Sequence, residues 1–336
     1  MANLNLILTY EFLEQITAQS NLYATQENDR LNLTVDELRA FLEILVIMRF
    51  SPLPSVRLFW SNDRKFYNSR VAQVMPVKRF LKIMRFLHLN DNYTIPKKDE
   101  IGFERLYKFK PKLDHHNSCF KKLFHTARYL SVDESMVGFK GRRSLEQYMP
   151  NKPIKRGFKI WVIACAGTGY CLGLSVYEGK EEGDNSSKFL GEFVIEKLAA
   201  PYERLGNCLF FDNCFSNVVM MKNLLRKNLF ACATIRQTRK FFPKATLATD
   251  KTLKMGESDI VMAEDIGISK WKGRGKKCVT VTNTMCNAES KCFVLRTNNN
   301  GVRESVPCPE SIRDYNLYMG GLDRFNQLLC SYNISW

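Results

Sequence analysis

The sequence predicts an α/β fold in which buried strands lead directly into acidic residues. Two apolar runs, Tyr129 to Val132 and Cys208 to Phe211, are typical of buried strands, and they are followed by Asp133 and Asp212. A third acid, Asp323, follows a Gly-Gly pair and opens an apolar-periodic stretch that predicts a helix. Each carboxylate at the end of a buried strand needs a partner, because burying it unpaired costs several kcal/mol.

The three acids, Asp133, Asp212 and Asp323, predict a cation site if they converge. Converging carboxylates repel one another unless divalent cations lie between them. Two-metal phosphoryl transfer uses hard cations ~3.5–4 Å apart in this way. The alternative is that one or more of these acids pairs with a basic residue such as Lys140 or Arg142.

The chain of 336 residues has a net charge of +16 that is unevenly distributed. Residues 1–50 contain 3 Lys and Arg against 7 Asp and Glu, whereas residues 51–150 contain 20 against 9. Excess positive charge on a folded chain favours polyanions, which makes nucleic acid the leading partner. The alternative is a role in solubility alone.

The first third of the chain is predicted to be helical and largely basic. Thr34-Val-Asp-Glu37 is a capping box that begins a helix ending near Phe50, and Thr9 precedes a second helical stretch. Pro76 opens an amphipathic helix with the predicted apolar stripe Val77, Phe80, Leu81, Met84 and Leu87. Its other side carries Lys78, Arg79, Lys82 and Arg85. This side is either a phosphate-binding face or an ordinary solvated face.

The cysteines and the apolar runs exclude several classes of protein. Eleven cysteines are scattered without Cys-x-x-Cys spacing, which predicts reduced thiols in an intracellular protein and no zinc site. The sequence has no apolar run of about 18 residues and no secretion signal, so we expect neither a membrane span nor export.

The middle of the chain alternates in the order strand, strand, strand, helix, strand, helix, strand. Gly167-Thr-Gly169 predicts the hairpin between the second and third strands. With a final helix near 312–333, this is the order of the RNase H-like fold, in which the first and fourth strands are neighbours. Asp133 and Asp212 are therefore predicted to meet, with Asp323 approaching from the last helix. A doubly wound Rossmann-type sheet is the competing class, but the chain has no Gly-rich turn after the first strand.

Residues 236–311 interrupt this order and predict an inserted, mainly β subdomain. The predicted domains are a helical region at 1–115, the RNase H-like core at 116–235, the insertion at 236–311 and the final core helix at 312–336. Trp271 lies among basic residues, so it either stacks on a base or packs beside strands.

Four strings of residues resemble the piggyBac-type DDE transposases. In chain order they are Val-Asp133-Glu-Ser-Met-Val-Gly-Phe-Lys-Gly-Arg142, Tyr148-Met-Pro-Asn-Lys152-Pro-Ile-Lys155, Phe-Asp212-Asn213-Cys-Phe-Ser and Tyr-Asn-Leu-Tyr-Met-Gly-Gly-Leu-Asp323. The resemblance covers nearly the whole chain, and its first third resembles the helical dimerisation and DNA-binding region of that family.

The resemblance implies Mg²⁺-dependent strand transfer on double-stranded DNA. A metal-activated water nicks at a transposon end, the freed 3′-hydroxyl forms a hairpin, and the end is later joined to a TTAA target. Two Mg²⁺ ions, a homodimer and a nuclear location are also implied. The catalytic and metal-binding positions are Asp133, Asp212 and Asp323. The implied DNA-binding positions are Lys140, Arg142, Asn213, Arg236, Arg239 and Lys240.

The chain departs from the family pattern in three places. Asn326 occupies the position three residues after the last acid, where the family often has another acid. The acidic N-terminal tail and the C-terminal Cys/His-rich tail of the pattern are not in this sequence. We therefore expect a fragment, a partial gene model or a domesticated relic, with poor solubility and no end-specific cleavage. A DNA-binding protein of transposase origin without catalysis is the alternative function.

Overall fold

The computed structural model describes residues 2–139, 141, 144–179, 190–273, 277–297 and 301–331. Lys140 and Arg142, two of the predicted DNA-binding residues, lie outside these ranges. The chain divides into two compact units. One contains Met1–Leu123 with Gln327–Trp336, and the other contains Phe124–Asn326.

The first unit is helical, as its sequence predicts. Its helices are α1 (Ala2–Ile7), α2 (Tyr10–Gln26), α3 (Val35–Phe50), α4 (Ser69–Ala72), α5 (Val77–Phe86) and α6 (Lys110–Leu123), with a 3₁₀ turn at Val56–Trp60. The Thr34 hydroxyl accepts the Glu37 amide at 3.2 Å, which confirms the predicted cap of α3. Phe41, Phe59 and Phe80 are fully buried in the core of this unit.

Helix α5 buries a different stripe from the predicted one. Phe80, Ile83 and Phe86 are its buried residues, whereas Met84 is 39% exposed. The predicted stripe is correct at Phe80, which is buried, and at Leu81, which packs against the core, but it omits Ile83 and Phe86 because the core lies on the i, i+3, i+6 line of this helix. On its basic side, Arg79 bonds Glu37 at 2.5 Å and Lys82 bonds Asp29 at 2.7 Å. Part of the basic face is therefore occupied by acids of the same unit.

The second unit is built on a mixed sheet of nine strands. The strands are β1 (Tyr129–Gly138), β2 (Glu146–Tyr148), β3 (Arg156–Cys165), β4 (Cys171–Val176), β5 (Cys208–Phe211), β6 (Phe230–Thr234), β7 (Ser258–Ala263), β8 (Ile266–Trp271) and β9 (Val279–Asn283). The strand order is β2-β3-β1-β5-β6-β9-β8-β7, and β4 also pairs with β3. The β1–β5 and β5–β6 pairs are parallel, which confirms that the two acid-bearing strands are neighbours.

Both faces of this sheet are covered. Helices α7 (Leu190–Ala199) and α8 (Val218–Arg226) pack with Leu209 and Phe211 on one face. Cys208 and Phe210 face the other side, where they join Ile312 of helix α9 (Glu310–Tyr318). The apolar run of β5 is continuous for this reason, as expected for a central strand buried on both sides.

The predicted insertion, 236–311, continues the main sheet. Strands β7, β8 and β9 extend it, because β9 pairs antiparallel with β6 and covers an edge that would otherwise be open. Two further strands, β10 (Lys291–Thr297) and β11 (Arg303–Pro309), form a separate antiparallel pair. Trp271 is 2% exposed and its indole N–H donates to the Pro307 carbonyl at 2.8 Å, so its role is packing.

The predicted final helix is two helices. Helix α9 ends at Tyr318, and helix α10 runs from Gly321 to Ser331 after a break at Met319 and Gly320. Leu322 is buried, but Leu328 and Leu329 are 49% and 44% exposed. The apolar periodicity of α10 therefore does not mark residues that are all buried.

Candidate active site

The two strand carboxylates occupy neighbouring positions of the sheet. Val132 of β1 is in register with Phe211 of β5. Asp133 directly follows Val132, and Asp212 directly follows Phe211. Strand β5 ends at Phe211, so Asp212 leaves the sheet, while Asp133 stays in β1 opposite Val162 of β3. Parallel pairing therefore brings two of the three predicted acids to one position of the sheet.

Asp133 is half-buried in surroundings that disfavour its charge. Burial, followed by the charge of the adjacent Glu134, raises the pKa of Asp133 to about 7. The Glu134 amide donates to Asp133 Oδ1 at 2.8 Å, which partly opposes this rise. The Asp133 carboxyl therefore loses its proton only as the pH rises through about 7, and an adjacent cation would lower that pKa.

Asp212 is held in one orientation by three donors. Its Oδ1 accepts the backbone amide of Asn213 at 2.6 Å and the side-chain amide of the same residue at 3.0 Å. The hydroxyl of Thr234, at the end of the adjacent strand β6, donates to the same oxygen at 2.6 Å. These bonds engage Oδ1 and fix the direction of the second carboxylate oxygen.

Asp323 lies in the first turn of α10 and is exposed to solvent. The helix begins close to the sheet, because a Cβ on Gly321 would lie 2.4 Å from Ser131 Oγ and 2.7 Å from Ala166 Cα. Asn326, one turn further, accepts the Ser135 hydroxyl of β1 at 2.6 Å. The start of α10 is thus anchored to β1 on both sides of Asp323.

Lys152 connects the acids electrostatically. Its ammonium lies 3.1 Å from Glu134 Oε1. Burial alone would lower the pKa of Lys152, but the charges of Asp133, Glu134 and Asp323 outweigh burial and raise it. The pKa of Lys152 therefore depends on the charges of both Asp133 and Asp323, while its direct ion pair is with Glu134.

Metal-ligand chemistry fits the two strand acids. Carboxylate oxygens are the ligands that Mg²⁺ prefers, and a bound cation would favour the ionised form of Asp133, which burial and the adjacent Glu134 charge disfavour by raising its pKa. Across the described ranges, no three His, Cys, Asp or Glu side chains form a group that could hold a metal ion. Asp133 and Asp212 are neighbours through the β1–β5 register, and among the described residues no third ligand is assembled with them.

Of the four described residues predicted to bind DNA, Asn213, Arg236 and Arg239 are hydrogen-bonded together beside Asp212. Arg236 Nε donates to Asn213 Oδ1 at 2.6 Å, and Arg239 donates to the Asn213 carbonyl at 2.8 Å. Lys240 follows them and lies over the ring of Phe241, with its ammonium 5.0 Å from the ring centroid. Lys140 and Arg142 are the two predicted residues outside the described ranges.

Three residues of this site, Glu134, Lys152 and Thr234, were not singled out from the sequence. Glu134 and Lys152 lie in the strings quoted for the resemblance, and Glu134 also adjoins Asp133, so these were the available signals. Thr234 ends a β-rich run that gives no local sign of its bond to Asp212, since the two residues are 22 positions apart.

A family model described as "Transposase IS4" matches residues 1–336, and the chain therefore belongs to this transposase family. Its similarities point to the piggyBac type. It is 27% identical over 343 aligned positions to human "PiggyBac transposable element-derived protein 3", covering 99% of this chain and 56% of the relative. It is 29% identical over 332 positions to human "PiggyBac transposable element-derived protein 2", covering 95% and 54%. The chain spans about half the length of these curated relatives.

The fold is similar to that of a solved transposase. The structure described as "Cryo-EM structure of piggyBac transposase synaptic complex with hairpin DNA" superposes with a TM-score of 0.82 at 23% identity. The match covers 98% of this chain and 68% of that one. In the part of the chain that the structure describes, no helix combines the length and apolar character needed to cross a bilayer.

Proposed function

We propose that this chain carries the DNA strand-transfer site of a piggyBac-type transposase, with Asp133, Asp212 and Asp323 as its catalytic acids. The observation that carries the proposal is the parallel register that sets Asp133 and Asp212 side by side. The electrostatic coupling of Asp323 and Asp133 to the same Lys152 supports the third assignment.

We further propose that the core is RNase H-like. Strands β4, β3, β1, β5 and β6 lie in this order, with the first three antiparallel and the last pairs parallel. The sequence predicts for that fold that the first and fourth strands are neighbours, and the pairing of β1 with β5 agrees with it and supports the use of their ends as the site of chemistry.

Asp133 and Asp212 would hold the divalent cations, for which Mg²⁺ is proposed, and Asp323 would complete the ligand set from α10. When bound, such cations activate a water or a 3′-hydroxyl and stabilise the leaving oxygen. Asn213 and Thr234 orient Asp212 through its Oδ1. Lys152 neutralises Glu134, which limits the negative charge beside Asp133.

The proposed ligand is double-stranded DNA, at transposon ends and at TTAA targets. We propose that the protein binds this DNA as a homodimer and in the nucleus. The cationic group Arg236, Arg239 and Lys240 supports contact with phosphates beside Asp212. Asn213 is proposed to contribute to the same surface, and Lys140 and Arg142, which lie outside the described ranges, are proposed to bind DNA as well. These assignments rest on the family and on the position of this group.

A second candidate is DNA binding without catalysis. Two observations favour it: the curated relatives are transposable element-derived proteins, and the described residues do not assemble three metal ligands. Both candidates predict an affinity for DNA that falls with salt, because Lys and Arg contacts release counterions. The two candidates differ only in whether the chain cleaves DNA.

A plasmid-nicking assay separates the two candidates. The chain is incubated with supercoiled plasmid containing TTAA sites, with Mg²⁺, with Mn²⁺ and with EDTA. The strand-transfer site predicts metal-dependent relaxation that Asp133→Asn and Asp212→Asn abolish while duplex binding stays within about twofold. Asp265→Asn, in the exposed β7–β8 turn, is the matched control and should behave as wild type. Salt-sensitive binding without nicking by the unaltered chain would support the second candidate, and nicking retained in both variants would overturn the assignment of the acids.

A further inference from the structure

Phe241 is an exposed aromatic residue in a backbone conformation that aromatic residues rarely adopt. Its φ is +64°, in the left-handed region that favours glycine. Its side chain is 64% exposed, so the ring gains little packing in return. Strain of this kind persists where the surrounding structure enforces it, and such residues cluster at binding and catalytic sites.

A tight turn enforces this conformation. The Phe242 amide donates to the Arg239 carbonyl at 3.1 Å, which places Phe241 at the third position of the turn. Turns that need a positive φ at this position usually have Gly or Asn there. The preceding Arg239 is itself bonded to the Asn213 and Cys214 carbonyls, so the turn is tied to the loop that carries Asp212.

The surroundings of Phe241 are suited to nucleic acid. The Lys240 ammonium lies over the Phe241 ring, and Arg236 and Arg239 both bond to Asn213, the residue after Asp212. The next residue, Phe242, lines a cavity of about 440 Å³ together with Gln237, Leu247 and Lys244. An exposed ring that contacts Lys240 and follows Arg236 and Arg239 in the chain matches the combination of base stacking and phosphate contact that binds unpaired strands.

We propose that Phe241 stacks on an unpaired nucleobase of the DNA strand that lies along Arg236 and Arg239. This inference rests on the proposed function, since it takes DNA as the ligand of this surface. It adds a positioning role: the ring would hold a displaced base while the neighbouring phosphate lies near Asp212. Stacking of this kind tolerates any base, because every base has a π-face.

Binding to two otherwise identical duplexes tests the proposal. One duplex is fully paired and the other carries a single unpaired base, and affinities are measured by fluorescence anisotropy at one fixed salt concentration. Wild type should prefer the duplex with the unpaired base. Phe241→Ala should lose about tenfold in affinity for that duplex and little for the paired one. Phe241→Trp should restore the preference.

Two controls keep the test sharp. Phe293→Ala removes another exposed phenylalanine, 72% exposed on β10, and should leave both affinities unchanged. Phe241→Gly relieves the backbone strain, so it should melt at or above the wild-type temperature and still lose the preference. A loss seen only with a lowered melting temperature would overturn the stacking role.

The outcomes distinguish this inference from the proposed function. If wild type binds neither duplex, the proposed function fails. If wild type binds the paired duplex in a salt-dependent way but Phe241→Ala matches it on both, the stacking role alone fails. Photo-crosslinking of a 5-iodouracil at the unpaired position to the Phe241 ring would support the proposal, and crosslinking only to other residues would contradict it.

Discussion

At the scale of single residues, the pKa of Asp133 predicts how stability depends on pH. In the metal-free protein the folded-state pKa is about 7 because burial disfavours the charge, whereas an unfolded aspartate titrates near 3.8. Protonation therefore favours the folded state. This contribution is complete below about pH 4 and is lost as the pH rises through about 7.

Asp133→Asn removes this pH-dependent loss of stability, because the asparagine side chain does not ionise. Relative to wild type, the variant should gain more than about 1 kcal/mol in unfolding free energy between pH 5 and pH 8. The measurement is denaturant unfolding in EDTA at several pH values, with Asp265→Asn as the exposed control. If the stability difference between Asp133→Asn and wild type were equal at pH 5 and pH 8, Asp133 would not have a raised pKa. Mg²⁺ should reduce the gain by stabilising wild type selectively.

Thr234 is predicted to act through Asp212. Thr234→Val keeps the shape of the side chain but removes the 2.6 Å hydrogen bond to Asp212 Oδ1. We expect a loss of about 1 kcal/mol in stability and, if the chain nicks DNA, at least about a tenfold fall in the metal-dependent rate. The metal concentration for half-maximal rate should also rise, which a purely structural role would not cause. Thr252→Val, at an exposed turn, is the matched control and should leave both quantities unchanged.

At the scale of elements, the start of α10 determines where Asp323 lies. Gly321 packs so closely on β1 and β3 that an added Cβ would lie 2.7 Å from Ala166 Cα, whereas a Cβ on Gly320 meets nothing within 4 Å. Gly321→Ala should therefore cost about 1–3 kcal/mol in stability and shift Asp323 away from β1. Gly320→Ala should be near neutral. Thermal unfolding and plasmid nicking of the two variants measure both effects, and equal behaviour of the pair would contradict this account of α10.

The elements that could be predicted from the sequence are those with local signals. Apolar runs marked β1 and β5, Gly167-Thr-Gly169 marked the β3–β4 turn, and capping threonines marked α2 and α3. Strands β7, β8 and β11 gave no such signal. In β8 all six residues are buried, including Lys270, whose ammonium bonds Asp250 at 2.7 Å. Since that partner lies 20 residues away, the sequence could not show that this lysine belongs in a strand.

The candidate site could be predicted in part for the same reason. Asp133 and Asp212 were identified because each follows a buried run, and their closeness follows from parallel pairing. The donors that orient them, and the ion pair between Lys152 and Glu134, depend on contacts across the fold. The stripe of α5 was assigned correctly only in part, because periodicity gives a face only to within about one residue.

At the scale of the whole molecule, the charge of +16 is not equally available to a ligand. In the helical unit, Arg79 and Lys82 are occupied by Glu37 and Asp29. In the sheet unit, Lys240 and Arg236 are exposed, and Arg236 bonds Asn213, the residue after Asp212. Residues already paired within the protein release few counterions on binding DNA, so the exposed cations near Asp212 should dominate the salt dependence.

This difference predicts how single substitutions change the slope of log affinity against log salt. Each phosphate contact contributes about 0.9 to the slope on duplex DNA, so Lys240→Ala should reduce its magnitude by about 0.9. Lys82→Ala should leave the slope nearly unchanged, because Asp29 already neutralises that ammonium at 2.7 Å. The measurement is anisotropy titration between 50 and about 200 mM salt, the range in which counterion release is resolved. A larger effect for Lys82→Ala than for Lys240→Ala would place the main phosphate contact on the basic face of α5, and would move the DNA away from the surface assigned beside Asp212.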